Sequence, residues 1–160
     1  MSTLLQTLGR TANHKVHFTQ TNYIASLTRP IHMHGTLAYT PPDVLVMTQS
    51  APHKAVYRIS GNRLFVNQNQ QGVPVSRYPG VLVIVAGFEG LLSGNQALLA
   101  HDFALTLSGR AEDWELTLRP RLAVLRRVLT DVVIKGRNGQ FVRITTHAPN
   151  GDHSVMRIIP

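Results

Sequence analysis

Alternation of apolar and polar residues runs through most of the chain. In "VHFTQTNYIASL", Val16 to Leu27, the opening residues put Val16 and Phe18 on one side and His17 and Thr19 on the other. That is the two-residue period of a half-buried strand. Strand-favouring content continues in "MHGTLAY", and a turn at Pro41-Pro42-Asp43 leads into "VLVMTQ", where Leu45 and Met47 share a face. "AVYRISGNRLFVNQ" reads as a hairpin around Ser60-Gly61-Asn62, because Gly and Asn take the positive φ values that such turns need. Further on come "FALTLSG", "WELTLRP", "TDVVIKG", "FVRITTH" and "SVMRII", with Asn138-Gly139 and Asn150-Gly151 as hairpin markers. The pattern predicts about ten short strands joined by hairpins, hence an antiparallel sheet.

Only three stretches predict helix: Thr3 to Thr11, the apolar run after Tyr78, and one turn at Leu122 to Arg127. The second of these, "YPGVLVIVAGFEGLLSGNQALL", breaks the alternation with unbroken apolar positions from Val81 to Phe88. A spanning helix needs about 20 apolar residues. Gly80 to Leu92 falls short of that, with three glycines and Glu89 inside it. Pro79 before the run and the Gly94-Asn95 break after it predict a helix, a break and a second short helix. A run apolar nearly all round is the mark of an element buried on most faces, so a core helix is its plainest reading, and Val83 to Val85 also allow a buried strand.

With 160 residues the expectation is one domain, 1–160, with a core of its own. Sixteen Lys and Arg against eight Asp and Glu give a formal charge of +8, and 43% hydrophobic content excludes a disordered basic tail. An anionic partner follows, either nucleic acid or a membrane surface. The absence of cysteine removes disulfides, thiolate metal sites and cysteine nucleophiles. Met1 to Ala12 has no long apolar core of a signal peptide, and Ser2 after Met1 reads equally as the start of a mature domain whose export signal has been cut away.

Candidate chemistry is thin. His32 and His34 share a strand face and could ligate a metal, yet no third ligand is near in sequence, so exposed strand histidines are expected; the pairs His14/His17 and His147/His153 read the same way. Glu112, Asp113 and Glu115 beside Trp114 fit a turn entering a strand better than paired acid and base work. Ser26, Ser60 and Ser93 sit in no nucleophile elbow, and the glycines after Tyr78 surround apolar residues rather than a phosphate loop's Lys or Thr. No enzyme activity, metal or cofactor is expected.

The order of elements carries a resemblance. An N-terminal amphipathic helix, "HFTQTNYIASLTRPIHMHGTLAYTPPDVLVMTQSAP", "YRISGNRLFV" and the closing "FVRITTHAPNGDHSVMRI" resemble the LolA/LolB superfamily of periplasmic lipoprotein carriers, in particular its divergent LolA-related members. The carrying features are Phe18 and Gln20, the run Gly35, Leu37, Tyr39 and Pro42, the Ser-Gly-Asn turn, and the Asn-Gly-Asp hairpin. The resemblance implies a mainly β (α+β) fold, an unclosed antiparallel β-barrel or half-barrel, with an N-terminal helix and a helical lid over an apolar cavity. On that reading Val81 to Leu92 is the lid. Leu37, Tyr39, Leu45, Met47, Tyr57, Ile59, Leu64 and Val66 would line the cavity from the sheet, with Leu82, Val85, Phe88, Leu91 and Leu92 lining it from the lid. A one-residue slip of register would swap any strand's set.

Two departures qualify the cargo. In the well-known carriers an arginine before the turn proline holds the lid shut; here Pro41 stands in that place, and Met47 replaces an aromatic residue on the third strand. The resemblance therefore implies a lipid or acyl-chain carrier more firmly than a lipoprotein carrier, as divergent relatives are associated with other acyl products such as polyene-type lipids. The implied setting is periplasmic. The implied partners are acyl chains of a lipid or lipoprotein, inner-membrane donor and outer-membrane acceptor proteins, and an anionic membrane surface, with no nucleic acid expected. The rival reading starts from "RPRLAVLRR". If Arg119 to Val133 were one helix, Leu122, Leu125, Leu129 and Val132 would form an apolar stripe under a basic face, suiting a basic module for anionic membrane or nucleic acid whose apolar stretch is an ordinary core helix.

Overall fold

The computed structural model describes residues 15–40, 44–60, 63–67, 72–74, 100–101, 103–138 and 140–159. The expected N-terminal helix and the whole apolar run from Val81 to Leu92 lie outside the described residues.

The described chain is mainly β. Strands β1 (Lys15–Tyr23), β2 (Ile31–Thr40), β3 (Val44–Ala51), β4 (Ala55–Ser60), β5 (Arg63–Val66) and β6 (Val73–Pro74) come first. Then follow β7 (Phe103–Arg110), β8 (Asp113–Pro120), a helical turn α1 (Ala123–Arg126), β9 (Asp131–Arg137), β10 (Gln140–His147) and β11 (His153–Ile159). They make one antiparallel sheet in the order β6-β5-β4-β3-β2-β1-β11-β10-β9-β8-β7. Two meanders are thus sewn together by the first and last strands, with Phe18 opposite Ile158 and Gln20 opposite Met156. Among the described residues β6 and β7 remain the outer edges, so the sheet is not closed into a barrel.

The hairpins form where turn chemistry marks them. Asn138 takes φ 54° and Gly151 φ 94°, the left-handed region that Asn and Gly enter at least cost. The structure departs from the expected elements at three places. The first strand stops at Tyr23 rather than reaching Leu27, because the Ala25 N–H is taken by the Asp152 carboxylate at 2.8 Å and Leu27 N–H turns back to Ile24 O at 2.9 Å. The extra strand is β6, two residues long and paired with Arg63 and Leu64. The helix of the rival reading, Arg119 to Val133, is also absent: only one turn forms, and Val132 belongs to a strand. Pro120 ends β8, and the Leu129 N–H closes on Leu125 O before the chain re-enters the sheet.

The core is a one-sided layer. Phe18, Leu45, Phe103, Trp114, Leu116 and Leu118 are buried, joined by Leu125 and Leu129 from the α1 connection. Close backbone approach fixes two glycines. A Cβ on Gly136 would fall 2.0 Å from the Trp114 ring, whose Nε1–H donates to Asn138 O at 2.9 Å. A Cβ on Gly35 would meet Thr48 O at 1.9 Å, beside the irregularity between His34 and Gly35.

Candidate functional site

Residues directly opposite in an antiparallel ladder point to the same face, so the register sorts the side chains without further assumption. Leu37 stands opposite Met47, Met47 opposite Tyr57, and Tyr57 opposite Val66. One row along, Tyr39 pairs with Leu45, Leu45 with Ile59, and Ile59 with Leu64. Seven of the sheet positions expected from the sequence, Leu37, Leu45, Met47, Tyr57, Ile59, Leu64 and Val66, therefore share one face, and Tyr39 holds the register position opposite Leu45. Leu37, Leu45, Ile59 and Leu64 are buried there, while Met47, Tyr57 and Val66 are half-buried and packed against them. The five expected lid positions, Leu82, Val85, Phe88, Leu91 and Leu92, lie outside the described residues.

The same face continues through the second meander. Leu116 pairs with Leu107 and Ile134, Leu118 with Leu105 and Val132, and Phe103 with Pro120. Sequence reasoning leaves these positions off the shared face although "FALTLSG" and "WELTLRP" alternate as cleanly as the first half. The missing information was the β1–β11 pairing, which puts the apolar sides of both meanders on one continuous surface.

That surface turns polar toward one end. Gln20 donates to Asn22 Oδ1 at 2.7 Å, and the buried Gln49 donates from Nε2 to His53 O at 2.9 Å. Asn22, Thr146 and Ser154 help line a cleft of about 200 Å³ that reaches the loops at Ile24 and Ala148 to Asp152. A buried or half-buried amide that keeps its hydrogen bonds can edge an apolar surface without a large cost.

The opposite face is polar and basic. Arg157 faces Arg143, and Arg143 faces Lys135, which pairs with Glu115 at 3.8 Å. Lys135, Arg143 and Arg157, with Arg137 and Asp113, line a pocket of about 220 Å³. His32 and His34 stand exposed on this face. His147 Nδ1 lies 2.6 Å from Asp131 Oδ1, and His153 stacks on Tyr23 with ring centroids 4.4 Å apart. Among the described residues no group of three His, Cys, Asp or Glu could hold a metal ion, and no helix is long and apolar enough to cross a membrane.

Comparison with protein families decides the kinship. The model for the family described as "Outer membrane lipoprotein carrier protein LolA-like" matches residues 1–157. The chain belongs to this LolA-like family. Solved structures similar to it include the LolA superfamily protein NE2245 from Nitrosomonas europaea, at 9% identity and a TM-score of 0.48, over 99% of this chain and 90% of that one. LprF from Mycobacterium bovis is 11% identical with a TM-score of 0.41, over 99% and 90%. The Pseudomonas aeruginosa MucA/MucB complex is matched at 12% identity and a TM-score of 0.47, over 98% of this chain but only 54% of that chain. Among curated protein sequences none matches.

Proposed function

We propose that this LolA-like protein is a carrier that shields the acyl chains of a lipoprotein or another lipid-like cargo on the apolar face of its sheet, and moves them through the periplasm towards the outer membrane. The observation that carries the reading is the single apolar face running across both meanders of an unclosed sheet. A one-sided sheet must have that face covered, and each CH₂ of an acyl chain withdrawn from water is favourable by about 0.8 kcal/mol. The half-buried Met47, Tyr57, Val66, Leu105 and Leu107 are the positions where a chain would gain contact.

Residues 75–102 join β6 to β7, the two outer edges of the sheet among the described residues. A segment so tethered, with the apolar run Val81 to Phe88 in its middle, suits a lid that competes with cargo for the same surface. Such competition makes binding reversible, as handover from an inner-membrane donor to an outer-membrane acceptor requires. With Pro41 in place of that arginine, control of such a lid would differ from that of the well-known carriers.

Displacement titration of an environment-sensitive fluorescent fatty acid, at low and high salt and on lipid-extracted protein, tests the reading. Saturable binding that survives salt and is competed by long acyl chains is expected. No binding, or binding lost in salt, would leave a filled core and a basic surface and refute the carrier role.

A further inference from the structure

The connections at one end of the sheet combine exposed aliphatic side chains with arginine. Between β8 and β9, Leu122, Val124 and Val128 are 43%, 56% and 40% exposed, while Leu125 and Leu129 on the other side of the same turn are buried. The buried pair anchors the segment, and Arg126 Nη2 donates to Arg121 O at 2.6 Å, holding its shape. The outward apolar set is therefore presented by a fixed scaffold. Scattered exposed aliphatics are ordinary on any protein. Three within seven residues, interleaved with Arg121, Arg126 and Arg127 and with no acidic residue from Leu116 to Thr130, are not scattered.

Neighbouring connections extend the same rim. Thr130 N–H bonds to His147 O at 2.7 Å, tying the β8–β9 connection to the end of β10. Ala25 N–H bonds to Asp152, tying the β10–β11 connection to residues 24–30, which bring Leu27, 49% exposed, and Arg29. Among the described residues, the carboxylates of these connections are engaged, Asp131 with His147 and Asp152 with Ala25.

We propose that this rim docks the protein on an anionic phospholipid bilayer, with Leu122, Val124 and Val128 entering the headgroup and acyl boundary and Arg121, Arg126 and Arg127 meeting phosphodiester groups. Charge complementarity and the aliphatic set together select this occupant. Apolar side chains framed by basic ones are the composition of elements that lie in a membrane interface. A nucleic-acid surface would instead need a continuous basic track with aromatic platforms for bases, and no aromatic residue lies between Trp114 and Phe141. The cleft lined by Asn22, Thr146 and Ser154 opens at this same end, so docking would bring the edge of the apolar face to the bilayer.

Vesicles of phosphatidylcholine alone, and of phosphatidylcholine mixed with phosphatidylglycerol, test the proposal by co-sedimentation of the full chain. Binding to the mixed vesicles only, weakening with salt, is expected. At about 1 kcal/mol per basic residue near an anionic surface, Arg121→Gln with Arg127→Gln weakens it about thirtyfold. Val124→Ser with Val128→Ser abolishes most of it at unchanged net charge. Because the chain has no cysteine, Val124→Cys carries a single polarity-sensitive dye, which blue-shifts on mixed vesicles, whereas the same dye at Val142→Cys, exposed but distant in the sheet, does not. Unchanged binding in the serine variant, no binding to mixed vesicles, or equal affinity for duplex DNA would overturn the proposal. The fluorescent fatty-acid titration is expected to be the same in the serine variant and the wild type, so failure of bilayer docking is distinguishable from failure of the carrier reading.

Discussion

At the residue scale, two neighbouring positions show how packing and charge act on opposite faces of one strand. Gly136 leaves room for the Trp114 ring on the apolar face, and Gly136→Ala drives a methyl group into the indole. Overpacking of this kind costs about 1–3 kcal/mol, so a lower denaturation midpoint in urea is expected. Lys135 and Arg143 lie on the basic face, directly opposite one another, with Arg157 beyond Arg143. Like charges so placed are destabilising, and Arg143→Glu turns both contacts into opposite-charge pairs. Thermal unfolding at low salt should show a gain of about 0.2–1 kcal/mol that shrinks as salt is added. By contrast the Lys135–Glu115 pair is more than a third exposed on both partners, and Glu115→Gln should change stability by less than about 1 kcal/mol.

At the scale of elements, the strands were legible because alternation, β-branched residues and the Asn-Gly turns all agree with the sheet. The face of each strand was legible too: Val16 with Phe18, and Leu45 with Met47, fall on the apolar side. What escaped the sequence depended on partners far along the chain. The end of β1 at Tyr23 rests on the bond from Ala25 to Asp152, which lie 127 residues apart, and no local pattern carries that contact. The second half of the apolar face depends likewise on β1 meeting β11. In the α1 connection, "RLAVLRR" has helical spacing, but Pro120 and the demand of β9 for Val132 limit it to one turn. For the proposed lid the expected result is specific. Phe88→Glu abolishes binding of a fluorescent fatty acid while the far-ultraviolet circular dichroism of the sheet persists; an unfolded variant would instead make the run an ordinary core element.

At the scale of the whole molecule, the sheet presents two faces and one rim. The apolar face spans both meanders, the basic face carries most of the described charge, and the rim at residues 24–30 and 121–130 joins aliphatic to cationic side chains. These surfaces should respond differently to salt: acyl binding, an effect of buried area, holds or strengthens, while attachment to anionic vesicles fades over the range in which surface charges are screened. The central claim is that the apolar face itself receives the acyl chain, and adjacent residues of β3 test it most directly. Met47 points to that face and Val46 to the other, where it stands opposite Arg58. Fluorescent fatty-acid titration of Met47→Glu and Val46→Glu, each verified as folded by circular dichroism, compares one charge on the two faces. The account predicts at least a tenfold loss of affinity for Met47→Glu, about 1.4 kcal/mol, and none for Val46→Glu. Equal affinities in the two folded variants would contradict it.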